Sequence, residues 1–227
     1  PRWTAFGELS TRLRKPEENR LGAYVDFTVE DARRYHAATY SIGMGAARLF
    51  SRSVDLSGRK LMLDLGGGSG AYSIVATEKY PGLKAVVLDL PPVTVVAKEY
   101  IAANNAQDRV STLPGDFTET PFPTGVDVVV MASNLPQYEP DLIRLVVKKA
   151  FAALAPGGVL IYETFMLGNE KFGRPSNPAF LLAPGELRRA FGQLQEMGFE
   201  EGVVDSPKPA MIQRLCALRV PRSTMAD

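Results

Sequence analysis

Histidine and cysteine are nearly missing from this sequence: His36 and Cys216 are the only ones in 227 residues. A single cysteine excludes an intrachain disulfide within these residues and fits a reducing compartment, so a cytoplasmic location is expected. Cys216 sits in the apolar run LCALRV and reads as a small core residue. No apolar run approaches the ~20 residues of a membrane helix. The opening PRWTAFGELSTRLRK has no apolar core of the kind a signal peptide carries. Strong charge of either sign is lacking too. A net charge of +1 gives no footprint for nucleic acid or an anionic membrane. Short repeats and low-complexity tracts are absent, and no metal site is expected.

What is present is the composition of an ordinary globular domain, 45% hydrophobic and 22% charged, long enough for one α/β domain with an appendage. From residue 61 onward, short β-branched runs alternate with helical stretches. LMLDL (61–65), KAVVLDL (84–90), RVSTLPGD (109–116), VDVVVMA (126–132) and GGVLIYETF (157–165) read as strands. Helices are predicted over 70–80, 92–106, 140–154 and 184–198. This alternation implies a Rossmann-like α/β fold, a parallel sheet with helices on both faces. At the end, GVVDSPKPAMIQRLCALRV holds two runs joined by too few residues for a crossover helix. They should pair antiparallel and give the sheet one antiparallel strand near the C-terminus.

The first 57 residues lie outside that rhythm and are read as a helical linker or lid, with the main domain over 58–227. Residues 28–53 predict a helix capped by Thr28, with Asp31 three positions on as a weak capping box. Tyr35, Thr39, Ile42, Ala46 and Leu49 share one face, expected to pack on the α/β domain with part of it free to line a site.

The most informative stretch is LDLGGGSG (63–70), after a strand and before a helix. Its glycines let the backbone turn tightly beside a ligand, and the helix N-terminus presents amides there. Spaced G-x-G-x-x-A to Ala71, it also admits a dinucleotide. Two carboxylates favour another ligand. Asp64, two residues before Gly66, is placed to meet a cation, which a pyrophosphate would not supply. Asp89 ends the second strand, where a carboxylate accepts ribose hydroxyls of either cofactor. After the third strand, GDF (115–117) offers Asp116 to an adenine amino group and Phe117 to its ring; the plainer reading of Asp116 is a turn residue.

These motifs, with PGLKAVVLDLPPV, LAPGGVLIYE and PGELRRAFGQLQEMGF (184–199), resemble the class I S-adenosylmethionine-dependent methyltransferases. Within them, the chain is similar to the small-molecule O-methyltransferases of the caffeate and hydroxyneurosporene type. The resemblance implies that Gly66 and Gly68 line the methionine portion of S-adenosyl-L-methionine. It also gives Asp89 the ribose and Asp116 with Phe117 the adenine, with Leu90 and Gly115 as further cofactor-binding positions. It places Ser133 or Asn134 near the cofactor and Tyr35 and Thr39 near the methyl group. Family members carry an N-terminal dimerisation domain of roughly a hundred residues. This sequence begins about where that domain ends, with Trp3, Phe6 and Leu9 resembling the linker, and the full-length protein is expected to be a homodimer.

The resemblance fails at MASNLPQY (131–138). O-methylating members place a histidine after the fourth strand, two residues before an aromatic. Counting back from Tyr138, that position is Pro136, and a one-residue gap offers Gln137 or Leu135. None accepts a proton. A phenol of pKa ~10 is only ~0.1% ionised at pH 7, a handicap of about 4 kcal/mol, of which a positioned base recovers ~10²–10⁴-fold. A thioether, neutral amine or carboxylate needs no such help.

Methyl transfer to a small-molecule acceptor by proximity and desolvation is therefore expected, at sulfur or nitrogen before oxygen or carbon, with a thioether acid among the candidates. Substitute catalytic groups are Glu163, at the end of the fifth strand, and Tyr138. His36 is a further substrate-side candidate, though a surface or capping histidine is its plainer reading. Arg33, Arg34 and Arg48 are candidates to hold an acidic substrate. The rival functions are small-molecule O-methylation with a substitute base, NAD-dependent oxidoreduction and non-catalytic cofactor binding.

Overall fold

The computed structural model describes residues 26–132, 140–173, 175–178, 181–205 and 209–220. In chain order the elements are α1 (Val29–Ser53), β1 (Leu61–Leu65), α2 (Ala71–Lys79), β2 (Lys84–Asp89), α3 (Pro91–Ala103) and β3 (Val110–Pro114). There follow β4 (Val126–Ala132), α4 (Pro140–Ala153), β5 (Leu154–Phe165), a 3-10 turn (Asn169–Lys171), α5 (Glu186–Ala190), β6 (Gln195–Val204) and β7 (Ala210–Leu218).

The seven strands form one sheet in the order β3-β2-β1-β4-β5-β7-β6. β1 lies at the centre, parallel to β2 on one side and β4 on the other, with Leu65 level with Leu88 and Met131. Four of the five β1 residues are buried. This is the signature of a parallel strand covered on both faces, and the reason its sequence is an unbroken apolar run around one aspartate. One core cluster joins Leu63, Leu65, Met131 and Leu160 to α4 and α5; the other joins Met62, Val87 and Val130 to α1, α2 and α3.

β7 runs antiparallel to both neighbours, β5 and β6, as its short connector requires. Its insertion between β5 and β6 departs from the wholly parallel 3-2-1-4-5-6 order of dinucleotide-binding sheets, which removes the architectural support for the NAD reading. The helix expected over 184–198 is cut to Glu186–Ala190. Leu187, Phe191 and Leu194 are buried as its period predicts, but from Gln195 the backbone is captured by β7, and β6 begins within the expected helix. Tertiary pairing outweighs local propensity there.

α1 is capped as expected. The Thr28 hydroxyl accepts from the Asp31 amide at 3.1 Å, and the Asp31 carboxylate accepts from the Thr28 amide at 3.2 Å. The face it buries is not the one expected. Ala32, His36, Met44, Ala47 and Ser51 turn inward, whereas Tyr35, Ile42 and Leu49 are 51%, 69% and 44% exposed. Ala32, Ala47 and Ser51 on the inward face are small, and α1 lies close on α2, with Gly43 against Ala71. Among the described residues no helix is long and apolar enough to cross a membrane.

Candidate active site

At the C-terminal ends of β1, β2 and β3, the topology brings the three acidic positions together around a cavity of about 430 Å³, within the ~300–1,000 Å³ of small-ligand sites. Asp64, Asp89 and Asp116 all line it, with Gly66 and Gly68 from the loop after β1 and Leu90 and Phe117 beside them.

The loop is held by its neighbours. The Gly66 amide donates to the Leu88 carbonyl at 2.8 Å, and the Gly68 amide to Asp89 Oδ2 at 2.8 Å. Asp64 lies directly beneath Gly67, where a Cβ would stand 2.6 Å from its Cγ. Only glycine leaves room for that carboxylate. Asp64 is 1% exposed and accepts the Ser73 hydroxyl at 2.8 Å. Burial pushes its carboxyl up to about 6, and the nearby Asp89 adds to the rise. Asp89 also accepts the Leu90 amide at 2.7 Å, and burial pushes it too up to about 6. Both acids are raised chiefly by burial, and a cationic ligand in the cavity would favour their ionised forms.

Asp116 ties down the next loop: Oδ1 accepts the Thr118 amide at 2.8 Å and its hydroxyl at 2.7 Å. It is thus a turn residue that also faces the cavity, joining both readings of this position. Gly115 does not line the cavity. Its amide donates to the Asp89 carbonyl at 2.9 Å, and Thr120 fills the space where a Cβ would stand, so its part is to fit the loop against β2. Lys149 on α4, which the sequence did not single out, locks this loop by donating to the Phe117 and Thr120 carbonyls at 2.7 and 2.8 Å.

The opposite wall is α1. Tyr35, Thr39, Ile42 and Ala46, from the stripe expected to pack on the domain with part of it free to line a site, border the cavity. His36 also lines it and is 6% exposed, so the surface reading of this residue is corrected: the imidazole is buried against the glycine loop. Burial lowers its pKa. Tyr72, the second residue of α2, completes the wall between Phe50 and the acids. Burial, then the charges of Glu163 and Asp64, push its phenol up to about 12. Its position directly after the glycine loop was the available signal for it.

Glu163 is level with Ala132 at the end of β5 but pairs with Arg214 at 2.5 Å, which also pairs with Glu200 at 2.6 Å; it is not among the cavity-lining residues. Arg33 pairs with Glu99 at 2.6 Å and Arg34 with Asp31 at 2.5 Å. Neither they nor the exposed Arg48 reaches the cavity, and no lysine or arginine lines it among the described residues. Ser133, Asn134, Pro136 and Tyr138 lie outside the described residues.

Residues 30–180 match the family model of the O-methyltransferase domain. The chain is 35% identical over 127 residues to the 3-hydroxy-5-methyl-1-naphthoate 3-O-methyltransferase of Streptomyces sahachiroi, covering 56% of this chain and 37% of the relative. It is also 35% identical over 120 residues to the L-tyrosine C(3)-methyltransferase of Streptomyces lavendulae, covering 53% of this chain and 33% of the relative. The chain thus spans about a third of the length of these two curated relatives. Among solved structures, mitomycin 7-O-methyltransferase superposes with a TM-score of 0.73 at 20% identity, covering 96% of this chain and 68% of that one. Human N-acetylserotonin methyltransferase in complex with S-adenosylmethionine superposes with a TM-score of 0.70 at 20% identity, covering 95% and 66%. At such identities the superpositions establish the fold.

Proposed function

This chain belongs to the O-methyltransferase family, and from that premise we propose that it is an S-adenosylmethionine-dependent methyltransferase acting on a small molecule, at an atom that needs no strong base. The observation that carries the cofactor assignment is the set of three carboxylates around one cavity, two of them with carboxyls raised to about 6. That acid-rich set, with no lysine or arginine among the described lining residues, fits a ligand bearing a sulfonium and an ammonium. Asp64 stands toward the cationic end, Asp89 toward the ribose, and Asp116 with Phe117 toward the adenine. Bound there, the cofactor supplies an electrophilic methyl group. The protein's share is to align an acceptor against it and to keep water out.

The acceptor side is bordered by Tyr35, Thr39, Ile42, Ala46 and Tyr72. Sulfur or nitrogen remains the first choice, since the Pro136 position offers no base and Glu163 is already engaged by Arg214. A thioether acid, by contrast, loses support. Its carboxylate would enter a cavity that holds three acids and, among the described residues, no lysine or arginine. An uncharged acceptor suits the wall better. The second reading, methylation of an acidic hydroxyl, is favoured by the O-methyltransferase names of several relatives. A homodimer of the full-length protein is part of the same proposal, and sedimentation of that protein tests it.

The direct test of the cofactor assignment is isothermal calorimetry with S-adenosylmethionine, S-adenosylhomocysteine and NAD. The first two should bind and NAD should not; the reverse order would overturn the assignment.

A further inference from the structure

The only histidine of the chain is buried against the loop that follows β1. His36 Cε1 stands 2.8 Å from where a Cβ on Gly68 would lie, with Nδ1 and Nε2 each 3.6 Å from that point. The imidazole therefore presents its Cε1 edge to the glycine, with its two nitrogens equally far from that point. The Tyr35 ring meets it edge-on at 5.1 Å and 87°, which fixes its plane. On its other side Gly68 is held by Asp89. Gly68 is thus clamped between a carboxylate and an imidazole, both of which line the cavity.

A buried imidazole on an apolar face needs no explanation beyond packing; one opening onto an acid-rich cavity does. Asp64, Asp89 and Asp116 can only accept hydrogen bonds when ionised. The proposed cofactor also carries acceptor oxygens, on its ribose and its carboxylate. The carboxylate oxygens gain nothing from the acids and need donors, and the ribose hydroxyls, which can donate to Asp89, still have lone pairs to fill. Among the described cavity-lining side chains, Tyr35, Thr39, Ser69 and Tyr72 offer hydroxyls and His36 alone offers a ring N–H, which its burial-favoured neutral form still carries.

We propose that His36 is a cofactor-binding residue, wedged behind Gly68 to hold the glycine turn open and donating a ring N–H to an acceptor oxygen of the cofactor. This rests on the S-adenosylmethionine reading of the cavity, and the test separates the two. Calorimetry is run with S-adenosylhomocysteine and with 5′-methylthioadenosine, which keeps the ribose but lacks the amino-acid tail, on the wild type, His36→Ala and His36→Phe. Phe keeps a ring against Gly68 without a donor, so it separates hydrogen bonding from packing and covers a failure of the Ala variant to fold.

Wild-type binding of S-adenosylhomocysteine upholds the cavity reading whatever the variants do. His36→Phe should weaken that ligand at least about fivefold, as loss of one hydrogen bond requires. An equal loss for methylthioadenosine assigns the partner to the ribose; a loss confined to S-adenosylhomocysteine assigns it to the carboxylate. Because the imidazole is unique, its Cε1–H resonance is a single reporter that should shift when either ligand is added. A His36→Phe protein that binds both ligands as the wild type does, or a resonance that ligand leaves unmoved, would overturn the inference.

Discussion

Asp89, the last residue of β2, accepts the amide of Gly68 at 2.8 Å, so the acid at the end of one strand braces the turn that leaves its neighbour. One carboxylate both shapes the loop and lines the cavity. Asp89→Ala should therefore weaken S-adenosylhomocysteine binding ~10–150-fold, the worth of a hydrogen bond to a charged group. Calorimetry that found less than a threefold change would remove Asp89 from the cofactor site.

Asp64 should trade stability for binding. Its carboxyl stands near 6 in the folded protein, above the ~3.9 of an unfolded chain. The folded state then holds the proton more tightly, so this group's contribution to stability rises as pH falls from about 7 towards 4. A shift of two units corresponds to at most about 3 kcal/mol. Asp64→Asn should raise the melting temperature of the ligand-free protein at pH 7.5, with the gain shrinking at pH 5, while cofactor affinity falls. An equal gain at both pH values would show that Asp64 is not carrying a buried charge.

Gly67 tests the same contact sterically. A methyl group there would stand 2.6 Å from Asp64 Cγ, and a clash of this kind costs about 1–3 kcal/mol. Gly67→Ala should lower the melting temperature and impair cofactor binding, whereas Gly45→Ala, on an open part of α1, should do neither. Chemical denaturation of the two variants side by side gives the comparison.

Glu163 should prove dispensable for the chemistry. Its pair with Arg214 is about half exposed, and such pairs contribute about 0–1 kcal/mol. Turnover by Glu163→Gln is expected within about threefold of the wild type, under ~0.7 kcal/mol of barrier. A hundredfold loss with unchanged cofactor affinity would make it the base.

The parts of the site that follow from strand ends were readable from sequence. LDLGGGSG, Asp89 and GDF occupy the turns after three successive strands, and a parallel sheet brings such turns to one edge. What α1 does was only partly readable. The stripe Tyr35–Thr39–Ile42–Ala46 was expected to pack on the domain with part of it free to line a site, and it borders the cavity, while the face that packs, Ala32, His36, Met44, Ala47 and Ser51, is too mixed in size and polarity to stand out. His36 was misplaced for the same reason, since a lone histidine beside two arginines gives no local sign of burial. The late helix was overextended because pairing with β7 is a long-range event that local periodicity cannot register.

Methyl transfer without a base is the central claim, and the pH dependence of turnover tests it most directly. The protein is supplied with saturating methyl-labelled S-adenosylmethionine and a panel of uncharged thioether, amine and hydroxyl acceptors, and label in the product is followed from pH 6.5 to 9. Transfer to a sulfur or nitrogen acceptor is expected at a kcat that stays flat across this range, apart from titration of the acceptor itself. Turnover confined to hydroxyl acceptors, falling with a limb of enzyme origin in this range, would contradict it.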